Sequence, residues 1–274
     1  MSNSFSGSLS GVKSGSGEDV TVSPAAIRLL LLLRGSEPEG LGRTEQVTYM
    51  LETAIAMGIL GEGERLPRES VFSAELGISS ITLRQALNTL RLKGVITTSR
   101  GRSGGSVVQK PKEPSAEEIR HKLLQTSTED LRDLWDHCAA VAAASAKLAA
   151  QRADEQDLKY LNGLAERFNL SATAQERRRA DTRFHVTVGV AAQSSRLTAS
   201  MLQIQAELSG FLWTDHEDVF AIAEASREHA YILQCIAEHD APAAASAAEL
   251  HSSSEMERVI KQRLQMLMMS EEDA

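Results

Sequence analysis

Four residues in the second half of the chain have the types and spacing of a metal-binding set. Asp181 and His185 lie four apart in Ala180-Asp181-Thr182-Arg183-Phe184-His185. At 3.6 residues per turn both project from one helix face, where a carboxylate and an imidazole can chelate a divalent cation. Taken alone, the pair reads as a surface Asp–His contact. A second pair changes the reading. His229 lies eleven residues before Asp240, and His251 lies eleven after it. If Asp240 marks the bend of an antiparallel helical hairpin, each histidine stands roughly 16 Å from it, at about 1.5 Å per residue. The two are then level on adjacent helices. Ile232, Leu233 and Ile236 continue the side of His229, and Ala244, Ala247, Ala248 and Leu250 line the approach to His251. Histidines on a buried face need polar partners, and these four groups satisfy one another through a metal. The alternative is a buried Asp/His hydrogen-bond cluster. Three imidazoles and one carboxylate leave positions open on a five- or six-coordinate ion, for water or a ligand carboxylate. His121, His137, His216 and His239 lack such spacing and read as bystanders. Beside the four ligands no general base is evident, and only His216 and Glu217 offer themselves.

These residues need helices to carry them, and the second half reads as helical throughout. Residues 130–152 have an alanine-rich apolar face. Asp154 caps a helix with Leu158, Leu161 and Leu164 inward. Helices follow over 173–193, 197–211 and 220–238. After the break His239-Asp240-Ala241-Pro242, Asp240 caps a last helix that runs past His251 toward Met269. Six or more helices without a strand signal predict an α-bundle.

The first half has a different rhythm. A short helix reads over residues 70–76 and ends at Gly77. Ser79 or Ser80 can N-cap a second helix, whose Leu83, Ala86, Leu87 and Leu90 form one apolar face at i, i+3, i+4, i+7. Gly94 stops it. Val95-Ile96-Thr97-Thr98 and Ser106-Val107-Val108 then read as two strands around a Gly-rich turn. Together these elements make a winged helix-turn-helix, whose second helix enters a DNA major groove while the hairpin reaches the backbone. Thr44 is expected to cap a supporting helix ending near Gly58, with Val47, Leu51 and Ile55 buried. Arg84, Arg68, and Arg100 and Arg102 flanking the wing tip at Gly104 are the candidate DNA contacts. Ser79, Ser80 and Thr82 add hydroxyls for phosphate.

This run resembles the DNA-binding domain of the GntR family of bacterial transcription regulators. Ile59-Leu60-Gly61-Glu62-Gly63-Glu64-Arg65-Leu66-Pro67 is similar to that family's approach to the motif. Arg84-Gln85-Ala86-Leu87 sits where its recognition helix has Arg-x-Ala-Leu, and Gly101-Arg102-Ser103-Gly104-Gly105 resembles its wing tip. The resemblance gives Arg84 a base- or phosphate-contacting role. It also shows departures. Ser70 stands where many members have an arginine after Pro-x-Glu, and Ser79-Ser80 stands where many have Ser-Arg. The second half resembles the FadR C-terminal domain of one GntR subfamily. Asp181-x-x-Phe184-His185 matches its Asp-x-x-Phe-His motif, and Glu228-His229-x-x-Ile232-Leu233 followed by His251 matches its two later histidine positions. The resemblance implies that Asp181, His185, His229 and His251 bind zinc, nickel or manganese, zinc foremost, and that a small organic acid is the effector. Many members carry an Arg four residues before a Glu on the first helix of this domain. Here those positions fall at Cys138 and Ala142, so a cation able to pair with a carboxylate is gone. That departure points to an effector that is less acidic or held differently.

Composition agrees with two modules of different character. The 274 residues suffice for two cores, and aromatics are only 4% of them. The net charge of −8 is uneven: residues 44–112 hold nine Lys/Arg against six Asp/Glu, while residues 113–274 hold sixteen against twenty-seven. Phosphate contacts need positive charge only on the docking face. Cys138 and Cys235 make neither a disulfide framework nor a zinc knuckle and suit a reducing cytoplasm. No apolar run reaches the roughly 20 residues of a membrane helix, and residues 1–22 read as a disordered tail without a signal-peptide pattern. An extension at 23–43 carries an apolar helix, opened by Ser23-Pro24 and covering 25–34, that packs on its own domain or clasps a dimer. The expected division continues with a DNA-binding domain at 44–110, a Pro-rich linker at 111–118 and an all-helical metal/effector domain at 119–269. The leading function is a homodimeric DNA-binding regulator of a palindromic operator, controlled by a metabolite at the metal site. A metal-dependent hydrolase with a DNA-tethering module is the alternative, and an architectural DNA binder is disfavoured by the acidic half.

Overall fold

The computed structural model describes residues 22, 24–33, 40–99, 105–109, 116–208, 210–213 and 219–272. The expected disordered tail, the Ser23 cap, the wing-tip residues Arg100, Arg102 and Gly104, most of the Pro-rich linker, and His216 and Glu217 lie outside them. Among the described residues there are eleven helices and one two-stranded antiparallel sheet, so the chain is mainly α.

Helix α1 (Pro24–Leu32) packs on both α2 (Arg43–Ala56) and the later helix α9, touching both halves of the molecule. Its Leu30 and Leu33 flank are fully buried. The α2 stripe Val47, Leu51 and Ile55 is buried as its four-residue spacing requires. Thr44, however, is not the cap. Gly42 holds that position, and the Glu45 side chain accepts from the Gly42 amide at 2.8 Å. Thr44 lies inside the first turn, where its hydroxyl reaches Gln85 instead. Helix α3 (Glu69–Glu75) ends at Gly77, whose φ of +58° is the left-handed turn that glycine adopts freely. In α4 (Ser80–Leu92), Leu83, Ala86, Leu87 and Leu90 are all buried, and α4 packs on α2 and α3. Strands β1 (Ile96–Ser99) and β2 (Gly105–Val108) pair in the register Ile96↔Val108. Arg65 bridges to Val107, which ties the approach segment to the wing.

The helical half begins at α5 (Ala116–Gln125), a helix the sequence reading passed over. Ile119 and Leu123, four apart, are its buried contacts. Helix α6 (Thr128–Arg152) is capped by Ser127 and packs along most of the last helix. Helices α7 (Glu155–Leu170) and α8 (Ala174–Ala191) begin with reciprocal capping boxes at Asp154 and Thr173. Helices α9 (Ser195–Leu208), α10 (Val219–Ala237) and α11 (Ala241–Glu272) complete the bundle. The buried apolar residues form one connected cluster running from α1 through α11.

The bend between α10 and α11 controls the site. His239 takes φ = +58°, and Asp240 caps α11 by accepting from the Ala243 amide at 3.0 Å. His239 therefore has a structural duty, because its Nδ1 meets the Ala150 carbonyl of α6 at 2.8 Å. Two variants separate these contributions. His239→Ala keeps the unfavourable φ and loses the hydrogen bond, so it should destabilise by about 1 kcal/mol. His239→Gly loses the same bond but relieves a left-handed conformation worth roughly 1 kcal/mol, and should fall near neutral. Urea denaturation of both variants checks the difference.

Candidate functional site

Three helices converge on one buried point. Helix α8 brings Asp181 and His185, α10 brings His229, and α11 brings His251; all four side chains are buried. Their potential ligand atoms lie within 4.8 Å of one another. His251 Nε2 lies 3.2 Å from Nε2 of both His185 and His229. Asp181 Oδ1 is 3.3 Å from His229 Nε2 and 3.8 Å from His185 Nε2. Two ligands of a tetrahedral ion, each about 2.0–2.1 Å from it, stand about 3.3–3.5 Å apart, so these separations suit atoms arranged around a common ion. Phe184 and Phe168 flank His229, with ring centroids at 4.4 and 4.8 Å, and fix its plane.

The electrostatics of the metal-free cluster are strained. Asp181 Oδ1 has no well-formed hydrogen bond despite its short approach to His229. Burial would raise the Asp181 carboxyl, but the facing imidazoles of His185 and His229 hold it far below the usual carboxylate range. Burial pushes His229 down to about 4, against the attraction of Asp181. His251 goes the other way. Burial opposes its charge, yet the carboxylates of Glu255 and Glu228 outweigh burial and raise it to about 9. Three imidazole nitrogens facing one another beside carboxylates form a donor set that a divalent cation satisfies better than protons do.

Two acidic residues to which the sequence assigned no role border the cluster. Glu228 Oε2 accepts from His251 Nδ1 at 2.8 Å, while its Oε1 accepts from the Ser254 hydroxyl. A carboxylate behind a ligating imidazole orients the ring and leaves Nε2 free for the ion. Glu255, one turn beyond His251, lies 3.5 Å from His251 Nε2 and 3.7 Å from His185 Nε2. The expectation that no general base is evident beside the four ligands considers only His216 and Glu217, and these two carboxylates stand there instead. The i+4 spacing from His251 was the available signal, and the polar run Ser252-Ser253-Ser254 disguised it. Cys138 is close by, its thiol 3.9 Å from the Ser252 hydroxyl. Burial first, then Glu255, pushes that thiol up to about 12, so it stays neutral. Ala142 lines a void of about 10 Å³ against His185 and His251, room for about one water.

On the first half, Arg84 projects from the exposed side of α4 and forms a 3.0 Å ion pair with Glu69. Arg68 is exposed at the start of α3. Ser79 caps α4 by accepting from the Thr82 amide, and its hydroxyl also meets that of Thr82 at 2.8 Å. The Ser80 hydroxyl meets Ser73. Ile81 stands 68% exposed among these polar groups.

The chain joins a winged-helix module to a helical bundle with a buried Asp/His cluster, and the comparisons give its family. The model for bacterial regulatory proteins of the gntR family matches residues 43–105, and the FCD domain model matches residues 133–254. The chain is 38% identical over 209 residues to the "Putative HTH-type transcriptional regulator RmpR" of Mycobacterium gastri, with 74% of each chain covered. It is 28% identical over 163 residues to the Glc operon transcriptional activator of Escherichia coli (strain K12), covering 57% of this chain and 63% of that one. The solved E. coli McbR/YncC structure matches at 16% identity and a TM-score of 0.49, covering 81% of this chain and 99% of that one. The chain belongs to the GntR family of transcriptional regulators and carries an FCD domain.

The His251 proton generates a pH signature. Its folded value of about 9 exceeds the ordinary 6.5, so protonation contributes stability that is complete below about pH 6.5 and lost as pH rises through about 9. Chelator-treated protein should therefore melt progressively lower between roughly pH 7 and 9.5. Protein loaded with zinc, in which the ion replaces the proton, should lack that decline. Thermal melts with and without metal across this range make the comparison.

Proposed function

We propose that this regulator binds operator DNA through its first half and a divalent ion plus a small organic acid through its second, the acid controlling the grip on DNA. The observation that carries the reading is the convergence of Asp181, His185, His229 and His251 from three helices on one buried point. In this reading those four side chains hold zinc, or nickel or manganese in its place. The ion supplies a Lewis-acidic anchor for an anionic ligand, and Glu228 orients the His251 ring toward it. The modules divide as a DNA-binding domain at 44–110 and an effector domain at 119–269, joined by 111–118. Residues 1–22 form a tail and 23–43 an extension, whose helix α1 packs on both modules. A homodimer in the cytoplasm, with its two recognition helices on a palindromic operator, fits the family.

Arg84 and Arg68 meet the duplex, with Ser79, Ser80 and Thr82 giving hydroxyls and the wing contributing Arg100, Arg102 and Gly104. Because Arg84 is already paired with Glu69, docking exchanges one carboxylate for a phosphate or base edge. The net gain is smaller than for a free arginine. The coupling route runs through α8. That helix carries Asp181 in the cluster and, two residues earlier, Arg179, whose side chain lies 3.5 Å from where a Cβ at Gly58 would stand in the DNA module. Effector binding shifts DNA affinity only by its different affinity for the two arrangements of that joint. No hydrolase is proposed, because the relatives are transcription regulators.

Elemental analysis with native mass spectrometry of protein purified without chelator tests the metal and the dimer together. About one zinc, nickel or manganese per chain is expected, and metal-free protein refutes the reading. On the DNA side, Arg84→Ala should weaken binding to the protein's own promoter region by at least about 1 kcal/mol. A gel-shift titration with unchanged affinity would remove Arg84 from the interface.

A further inference from the structure

Glu255 has the least ordinary environment of any carboxylate near the cluster. Its side chain is 1% exposed. Neither carboxylate oxygen has a hydrogen-bond partner. It faces two imidazole nitrogens, His251 Nε2 at 3.5 Å and His185 Nε2 at 3.7 Å, which also lie close to His229 and Asp181. Burying a carboxylate without donors is costly. A fold keeps one there when something else occupies its lone pairs. The helix explains the placement: Glu255 follows His251 by four residues, so both side chains leave α11 on the same face.

We propose that Glu255 is a built-in ligand. Its carboxylate completes the shell of the ion from the His185–His251 side and holds the position that an organic acid needs. This rests on the metal-site reading above. With it, the ion's two positive charges meet two carboxylates, Asp181 and Glu255, and three neutral imidazoles. An incoming monocarboxylate then offers no gain in charge, because it replaces one anionic oxygen by another. It also competes with a group tethered one turn from a ligand, whose effective concentration no free acid matches. The small void beside His185 and His251 gives it little room besides. Glu255 thus screens effectors: acids with a single donor are rejected, and an acid that binds brings a second donor to displace it. The displaced side chain is then left buried and unpaired on α11, which gives the effector a way to move that helix.

The test uses full-length protein loaded with cobalt(II), whose visible bands report the number and type of ligands, and acetate as the probe acid. Wild type is compared with Glu255→Gln and Glu255→Asp, each checked for folding by circular dichroism. The Gln variant should bind cobalt at least about tenfold more weakly. Its spectrum should differ from wild type and respond to acetate. The wild-type spectrum should stay unchanged at acetate concentrations that saturate the Gln variant, with the Asp variant in between. Superimposable wild-type and Gln spectra, or a wild-type spectrum that shifts equally readily, overturn the inference. If the Gln variant does not fold, the wild-type titration decides alone: an acetate-dependent shift counts against Glu255, and an unmoved spectrum supports it. A wild-type protein that takes up neither cobalt nor zinc overturns the metal-site reading itself, a result that cannot be confused with the others.

Discussion

The helical half is arranged around a group of polar side chains that cannot be left without a partner. Asp181, His185, His229, His251 and Glu255 are all withdrawn from water. Burial and the neighbouring charges act on these groups in opposite directions. His229 is pushed toward the neutral form by burial while His251, 3.2 Å away, is pulled toward the charged form. An apolar substitute for any one of them would pack without this conflict. Retaining five buried polar groups on three helices costs stability, so the fold holds a liability that a cation converts into a crosslink. Such a crosslink joins α8 to the α10–α11 hairpin. The sequence separates α8 from this hairpin by more than twenty-five residues.

Much of this was legible because helices are periodic. The equal offsets of His229 and His251 from Asp240 became an adjacency as soon as the bend lay at Asp240, and the left-handed His239 with the Asp240 cap puts it there. Asp181 and His185 needed only the pitch of one helix. In the first half, glycines and an apolar stripe marked α4 to within a residue. What escaped notice has a common cause: it depended on tertiary neighbours. Glu255 looks like a solvated residue in a Ser- and Glu-rich run, and only the approach of α8 shows it to be buried. Thr44 has the side chain of a cap, but Gly42 with Glu45 supplies the same satisfaction two residues earlier. Glu69 is unremarkable in sequence until the turn at Gly77 folds α3 back on α4 and brings it to Arg84. Helix α5 was hidden by the prolines before it, and its two buried apolar residues are too few for a periodic signal.

The two halves are not independent beads. The apolar core is continuous between them, and α1 lies against α2 on one side and α9 on the other. A strut of this kind changes what a ligand can do. A flexible linker would let the DNA modules sample many placements, and occupancy of the bundle would then matter little. A packed joint has few placements, and the Arg179 side chain of α8 lies against the chain at Gly58. Packed interiors switch between discrete arrangements more readily than they deform.

Charge sets the remaining constraint. The bundle is acidic, and the DNA module has only a modest excess of cations, one of which, Arg84, is already satisfied by Glu69. Attraction to an arbitrary duplex is therefore weak, because non-specific binding is almost entirely phosphate neutralisation. Two modules placed at the correct spacing bind far better than one, because the second contact is intramolecular. Weak single-module affinity is thus what gives the joint its leverage: a change in spacing forfeits most of the binding, whereas a strongly basic module would hold DNA in either arrangement.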